Sequence, residues 1–454
     1  MPQRDLSIAN LQRQYKSGEC TPDQVLSHVL KSIASCERKG VWICVLTPAQ
    51  IHAQLKRIEA DRQSGKALPL YGIPFAVKDN IDVAGIPTTA ACPAFSYIPA
   101  RSATVVQRLC DAGAIVVGKT NMDQFATGLV GTRSPYGACE NAFDPEWISG
   151  GSSSGSAVAV ACGLASFSLG TDTAGSGRVP ASFNDLVGLK PTKGLLSTSG
   201  VVPACRSLDC VSIFAHTCAD ADAVLKVAAG FDIADPFSRQ APSNAASSSD
   251  TFRCGIPADE QLEFFGNREA ENLYRSAIEH VRALGGKVVP IDFKPFRDTA
   301  NLLYEGPWVV ERLFAAGALL KDNPDALRDE ICAILKGAER YTAADVFDGL
   351  YKLAALQKAA AEQWAQMDLL LLPTTGTIYR NAEVEADPFQ LNRNLGYYTN
   401  FVNLLDLSAI AVPNGKLSTG VPMGVTFMAP AFQERQLLSI GAAFQARAKE
   451  GKSL

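Results

Sequence analysis

The strongest constraint on this chain is a series of short apolar segments that alternate with helical stretches from about residue 70 onward. Ile73–Val77, Ala114–Val117, Phe167–Leu169, Val288–Ile291, Leu369–Leu372 and Ala409–Val412 read as buried strands. Helical patterns separate several of them, among them Thr104–Ala112 and Ser154–Leu164. Strands apolar on both sides need cover on both sides, so the pattern predicts an α/β fold with a sheet covered by helices on both faces. Upstream, Thr21-Pro22-Asp23-Gln24 carries the signals of a capped helix start, and Val25, Leu26, Val29, Leu30 and Ile33 then fall on one face. Residues 268–366 are mostly helical in pattern and are expected to form a cap over one end of the sheet. The Pro-, Ser- and Ala-rich segment Gln240–Asp250 reads as an exposed loop. Strand signals continue beyond it, so a single domain over 1–454 is expected.

Composition narrows the class of partner. The 42 basic and 46 acidic residues leave a net charge of −4, with no basic block, so no nucleic-acid or membrane surface is expected. Twelve cysteines are scattered without a CxxC pair, Cys205 and Cys210 being the nearest two. That usage fits reduced, buried thiols in a cytoplasm and gives no zinc-ligand spacing. The polar Met1–Asn10 stretch lacks the apolar core of a signal peptide. Ala157–Gly170 is interrupted by Gly163, Ser166 and Ser168 and reads as a buried helix and strand, not a membrane span.

Two clusters carry the chemistry: Gly150-Gly151-Ser152-Ser153-Ser154-Gly155-Ser156, and Gly170-Thr171-Asp172-Thr173-Ala174-Gly175-Ser176-Gly177-Arg178-Val179-Pro180. Glycines permit tight turns and bring backbone N–H groups close to a ligand. A flexible linker would not flow into an apolar helix, and the Gly-Lys-Ser/Thr ending of a phosphate loop is missing. Gly151–Gly155 matches the G-x-S-x-G elbow, which needs a strand directly before it; Phe143–Ile148 is a poor strand. The four histidines, His28, His52, His216 and His280, lie outside both clusters, which leaves a Ser-His-Asp triad weakly supported. A lysine base is the alternative. Lys78 ends the apolar run Ile73–Val77, and Lys119 in Gly118-Lys119-Thr120-Asn121 has similar surroundings, so local pattern leaves both open. Either amine would have to fall from about 10.4 to about 7, a change worth about 4 kcal/mol, which burial can supply.

These residues resemble the amidase signature family. The likeness extends from the Thr21 helix to Phe427 and rests on three motifs: Gly150-Gly151-Ser152-Ser153-x-Gly155-Ser156, Asp172-Thr173-x-Gly175-Ser176-x-Arg178-x-Pro180, and Pro74-Phe75-x-Val77-Lys78-Asp79. The resemblance implies a large mixed β-sheet and a Ser–cis-Ser–Lys triad, with Ser176 as nucleophile, Ser152 after a cis peptide as bridge, and Lys78 as base. It also implies an oxyanion hole from the N–H groups of Thr173, Ala174, Gly175 and Ser176, with Ser153, Asp172 and Arg178 as supports. Metal and organic cofactors have no part in that chemistry.

Many family members have Gly-Gly-Ser-Ile-Arg where this chain has Ala174-Gly175-Ser176-Gly177-Arg178, and a glycine where Ser154 stands. This variant looks like that of the allophanate hydrolases, as do Leu372–Tyr379 and Leu303-Tyr304-Glu305-Gly306-Pro307-Trp308 with Glu311-Arg312. The likeness implies that Tyr304 and Arg312 hold the carboxylate of allophanate, a small anionic amide, with Gly128 as a further substrate-binding residue, in urea or cyanuric acid nitrogen metabolism. It further implies a homodimer and a usual C-terminal domain for which the sequence to Leu454 leaves no room. The alternatives are a general small-amide amidase, the amidase subunit of a tRNA-dependent amidotransferase, and a non-catalytic scaffold; an intact Lys78, Ser152 and Ser176 set argues against the last.

Overall fold

A computed structural model describes residues 5–242 and 251–450. Its centre is one sheet of eleven strands: β1 (Trp42–Val45), β2 (Pro74–Lys78), β3 (Ile115–Thr120), β4 (Phe167–Asp172), β5 (Val187–Lys190), β6 (Cys210–Ala215), β7 (Phe252–Pro257), β8 (Gly286–Ile291), β9 (Leu369–Pro373), β10 (Leu407–Lys416) and β11 (Pro422–Pro430). Their spatial order is β1-β3-β2-β4-β6-β5-β10-β11-β9-β7-β8. The sheet is mixed: β2 runs parallel to β3 and β4, and β7 to β8 and β9, while β10 and β11 are antiparallel. Each apolar run singled out in the sequence lies on one of these strands, and every residue of β2, β3, β4 and β9 is buried. This is the burial expected of strands covered on both faces.

Local sequence explains the elements that fix the site. Helix Pro22–Ser35 has the full capping box between Thr21 and Gln24. Helix Ser154–Ala161 is built from serine, glycine, alanine and valine because it packs deep against the sheet: a Cβ on Gly155 would lie 2.2 Å from the Val41 carbonyl oxygen. That close approach sets Ser152 and Ser153 at the helix entrance beside β4.

The stretch 268–366 divides in two. Helix Arg268–Ala283 buries Ala270, Tyr274, Ala277, Ile278 and Val281 and packs on β8, β10 and β11, and β8 itself extends the sheet. The expected cap is thereby narrowed to the helices from Lys294 onward: Lys294–Glu305, Leu313–Asp322, Asp329–Ala338 and Ala343–Trp364, gathered round the 3-10 segment Pro307–Arg312. Ala316, Leu327, Ile331 and Leu335 of this group share a core with Ala90, Phe125 and Val202 of the sheet's upper loops. Of the expected loop Gln240–Asp250, residues 240–242 are exposed and 243–250 lie outside the described residues, as do 1–4 at the N-terminus.

Candidate active site

Lys78 is the last residue of β2 and is fully buried. Its ammonium nitrogen donates to Ser152 Oγ at 2.7 Å and to Thr171 Oγ1 at 2.8 Å. Burial is the main influence on this amine and pulls it down to about 7, although the carboxylates of Asp123, Asp209 and Asp172 act in the opposite direction. A substantial neutral fraction near neutral pH is what a general base requires.

Lys119 is also buried, but its surroundings are of another kind. Its Nζ pairs with Asp79 Oδ1 at 3.2 Å and donates to Thr88 Oγ1 at 3.1 Å. Burial lowers its pKa while Asp79 pulls the other way. Lys78 faces two hydroxyls, whereas Lys119 sits in an ion pair, and this separates two lysines that local sequence left equivalent.

The peptide between Gly151 and Ser152 is cis. Ser153 Oγ donates to the Thr171 carbonyl oxygen at 3.0 Å and accepts from the Thr171 N–H at 3.3 Å, so it ties the Ser152 turn to β4. No strand leads into this turn among the described residues, which removes the G-x-S-x-G elbow reading. Ser176 is 3% exposed and its Oγ donates to the Gly128 carbonyl oxygen at 3.5 Å. Among the described residues no hydrogen bond joins Ser152 Oγ to Ser176 Oγ. The structure therefore brings Lys78 and Ser152 into contact and holds Ser176 on the neighbouring loop, with its hydroxyl turned to Gly128.

Asp172 organises that loop. Arg178 grips its carboxylate with Nε at 2.9 Å and Nη2 at 3.0 Å, and Nη2 reaches the Thr399 carbonyl oxygen at 3.2 Å. The N–H groups of Gly175 and Gly177 donate to the same carboxylate at 2.9 and 3.0 Å. Burial is the largest single influence and would raise Asp172, but Arg178, Lys190 and the Gly177 N–H together outweigh it and hold the carboxyl below its ordinary value. This corrects the expected oxyanion hole: the Gly175 N–H is committed to Asp172. Among the described residues the N–H groups of Thr173, Ala174 and Ser176 have no hydrogen-bond partner. Gly175 has φ +135°, and a Cβ there would meet Thr399 Oγ1 at 2.6 Å, so the position requires glycine.

Helix Lys294–Glu305 contributes Tyr304, and the end of the 3-10 segment contributes Arg312. Arg312 is 4% exposed. Its Nη1 donates to Thr127 Oγ1 at 2.6 Å and its Nη2 to Tyr304 Oη at 3.5 Å. Among the described residues no carboxylate lies within 4 Å of it. Thr127 adjoins Gly128, so the buried guanidinium and the Ser176 hydroxyl contact successive residues of one loop. That loop is held from below by Asp123, whose carboxylate accepts the N–H groups of Gly131 at 3.1 Å and Arg133 at 2.9 Å.

Thr171, Thr127 and Asp123 escaped the sequence reading. Thr171 stood inside a cluster already singled out, but a threonine in a strand has no local mark of contact with a lysine 93 positions away. Thr127 and Asp123 lie outside both clusters and gain their meaning only from the fold.

The Amidase family profile matches residues 24–438. The chain belongs to the amidase family. Urea amidolyase of Lachancea kluyveri is 46% identical over 429 residues, covering 93% of this amidase and 23% of the relative. The structure of Kluyveromyces lactis allophanate hydrolase is 42% identical with a TM-score of 0.92, covering 97% of this chain and 72% of that one. The amidotransferase relative from Synechococcus sp. strain WH7803, which acts on glutamyl-tRNA(Gln), is 33% identical, covering 97% of this chain and 96% of its own length. The amidase thus spans less than a quarter of the length of the urea amidolyase it matches.

Proposed function

We propose that this amidase hydrolyses the terminal urea-type C–N bond of allophanate with release of ammonia. The observation that carries the reading is Arg312, a buried guanidinium with only neutral hydroxyls for partners, one residue along the loop from the carbonyl that holds Ser176. Asp209 and Glu311 balance part of its charge from a distance, but no carboxylate hydrogen-bonds it, and a small substrate carboxylate received by Arg312 and the Tyr304 hydroxyl would give it that direct partner. The carboxylate of allophanate would then sit on the cap side and its far carbonyl on the Ser176 side.

In this mechanism the neutral Lys78 amine takes the Ser152 hydroxyl proton while Ser152 takes that of Ser176. The relay closes when the Ser176 hydroxyl turns from Gly128 onto Ser152 Oγ. Ser176 Oγ attacks the carbonyl, and the N–H groups of Thr173, Ala174 and Ser176 receive the oxyanion. The relay then returns its proton to the departing nitrogen, ammonia leaves, and water hydrolyses the acyl-enzyme by the same path. Gly128 serves through its carbonyl and by keeping the loop against Asp123, since a Cβ there would lie 2.6 Å from Asp123 Oδ2. The helices from Lys294 to Trp364 act as the substrate-side cap of a single amidase domain.

Twelve free cysteines support a reducing, cytoplasmic setting. Among the described residues no helix is long and apolar enough to cross a membrane. A homodimer is part of the proposal, and light scattering of the purified chain tests it. The test of function is ammonia release from allophanate, biuret, malonamate, glutamine and simple neutral amides, with wild type and Arg312→Ala. Allophanate should lead the panel, and Arg312→Ala should reduce its kcat/KM by about ten- to a hundredfold. Glutamine leading the panel would transfer the assignment to the amidotransferase reading, which the end-to-end match with the Synechococcus relative favours. Unchanged allophanate turnover in Arg312→Ala would remove the carboxylate site.

A further inference from the structure

Next to the candidate site, and sharing Tyr304 with it, lies a cavity of about 200 Å³. Three arginines line it, Arg133, Arg340 and Arg393, together with Tyr304 and Asn392, and no carboxylate does. Its walls are the outer side of the loop that carries the site. Tyr304 Oη accepts from Arg312, and Arg133 Nη1 donates to the Thr127 carbonyl oxygen at 3.2 Å. Asn392 Oδ1 accepts the Leu129 N–H at 2.8 Å. Thr127, Gly128 and Leu129 are thus gripped on one side by residues of this cavity and on the other by Arg312 and Ser176.

The arginines differ in how far they are compensated. Arg393 pairs with Glu305 at 2.9 Å. Arg133 is 1% exposed, its Nη groups bind backbone carbonyls, its Nε has no hydrogen-bond partner, and the buried Asp123 carboxylate balances its charge. Arg340 donates to the Tyr341 hydroxyl at 3.0 Å, lies over the Tyr341 ring, and has no carboxylate within 4 Å among the described residues. The Tyr341 hydroxyl in turn donates to the Glu305 carbonyl oxygen at 2.8 Å, which fixes this pair to the cap. Arg340 and Arg393 are exposed, so the wall meets solvent, and a concave surface lined by one sign of charge attracts small ions of the opposite sign in a salt-dependent way.

We propose that this cavity is an anion-selecting vestibule, in which Arg340 at the rim draws a small carboxylate substrate toward Arg312 before it reaches Ser176. The inference rests on the reading of Arg312 as the carboxylate site and adds a specificity-determining residue outside it. A charge at a rim acts chiefly on encounter and on salt dependence, and leaves the chemical step alone.

The experiment measures kcat and KM on allophanate for wild type, Arg340→Gln, Arg340→Lys and Arg340→Glu at low and high ionic strength, with melting temperatures alongside. At about 20 mM salt Arg340→Gln should lose roughly three- to tenfold in kcat/KM with kcat unchanged, Arg340→Glu should lose more, and Arg340→Lys should remain near wild type. Near 0.5 M salt, where the screening length is only a few ångström, the four enzymes should converge. Unaltered kcat/KM in Arg340→Gln, or a loss that salt does not diminish, or a fall in kcat instead of a rise in KM, overturns the vestibule while leaving the allophanate reading standing. A wild type inert on allophanate overturns that reading, and the vestibule falls with it.

Discussion

Replacing Thr171 with valine removes a hydroxyl of nearly unchanged shape from beside Lys78, and the outcome can be worked through from the geometry. The Lys78 nitrogen has two side-chain partners, Ser152 Oγ at 2.7 Å and Thr171 Oγ1 at 2.8 Å. A hydrogen bond from a charged donor is worth about 1.5–3 kcal/mol and one from a neutral donor about 0.5–1.5. Losing Thr171 therefore costs the ammonium about 1 kcal/mol more than the neutral amine, which corresponds to roughly 0.7 pH unit. In the wild type the amine sits at about 7. The sign follows: a base must be unprotonated, so kcat/KM should rise with pH through a single-proton limb near 7 and level off above it. In Thr171→Val that limb should move to lower pH by about 0.7 unit. The plateau should fall, because the amine loses one of the two contacts that aim it at Ser152. Asn80 Nδ2, which donates to Thr171 at 3.3 Å, keeps the Val202 carbonyl oxygen at 3.1 Å, so the fold should survive. The assay is ammonia release on the best substrate from about pH 5 to 9, with circular dichroism melts of both proteins. A limb that stays put or moves to higher pH would refute the hydrogen-bond argument, and a wild-type profile with no acidic limb would remove Lys78 as the base.

Ser176→Ala should lower ammonia release by at least about a thousandfold without altering the melt, because the side chain makes only one long hydrogen bond; residual turnover near wild type would exclude it as nucleophile. Lys119→Met should act on stability instead: it strands the buried Asp79 carboxylate and should cost about 3–5 kcal/mol, read as a lower denaturant midpoint, with catalysis retained in the folded fraction. An unchanged midpoint would mean that Asp79 is relieved in some other way. Gly175→Ala forces a Cβ against Thr399 at a positive φ and should cost about tenfold or more in kcat through displacement of the neighbouring N–H donors, with KM little changed; a fully active variant would contradict the oxyanion assignment.

The sequence by itself determined the layers and the parts list. Apolar runs of strand length, such as Pro74–Val77 and Leu369–Leu372, can be stable only with cover on both faces, and the two Ser/Gly clusters mark backbones that must turn tightly beside them. It also contained the motif that names Lys78, Ser152 and Ser176. Tertiary structure decided what local pattern left open. Lys78 and Lys119 each lie at the end of a buried strand, and their difference lies in their partners: two hydroxyls from beyond residue 150 for one, the Asp79 carboxylate for the other. The Gly175 N–H could be withdrawn from the oxyanion set only once Asp172 was seen to accept it. Arg312 reads as a surface charge along the chain; the fold buries it against Thr127, 185 positions away. Desolvation and hydrogen-bond geometry depend on neighbours in space, and a strand or loop sequence encodes its own conformation far more directly than it encodes which groups the fold will bring against it.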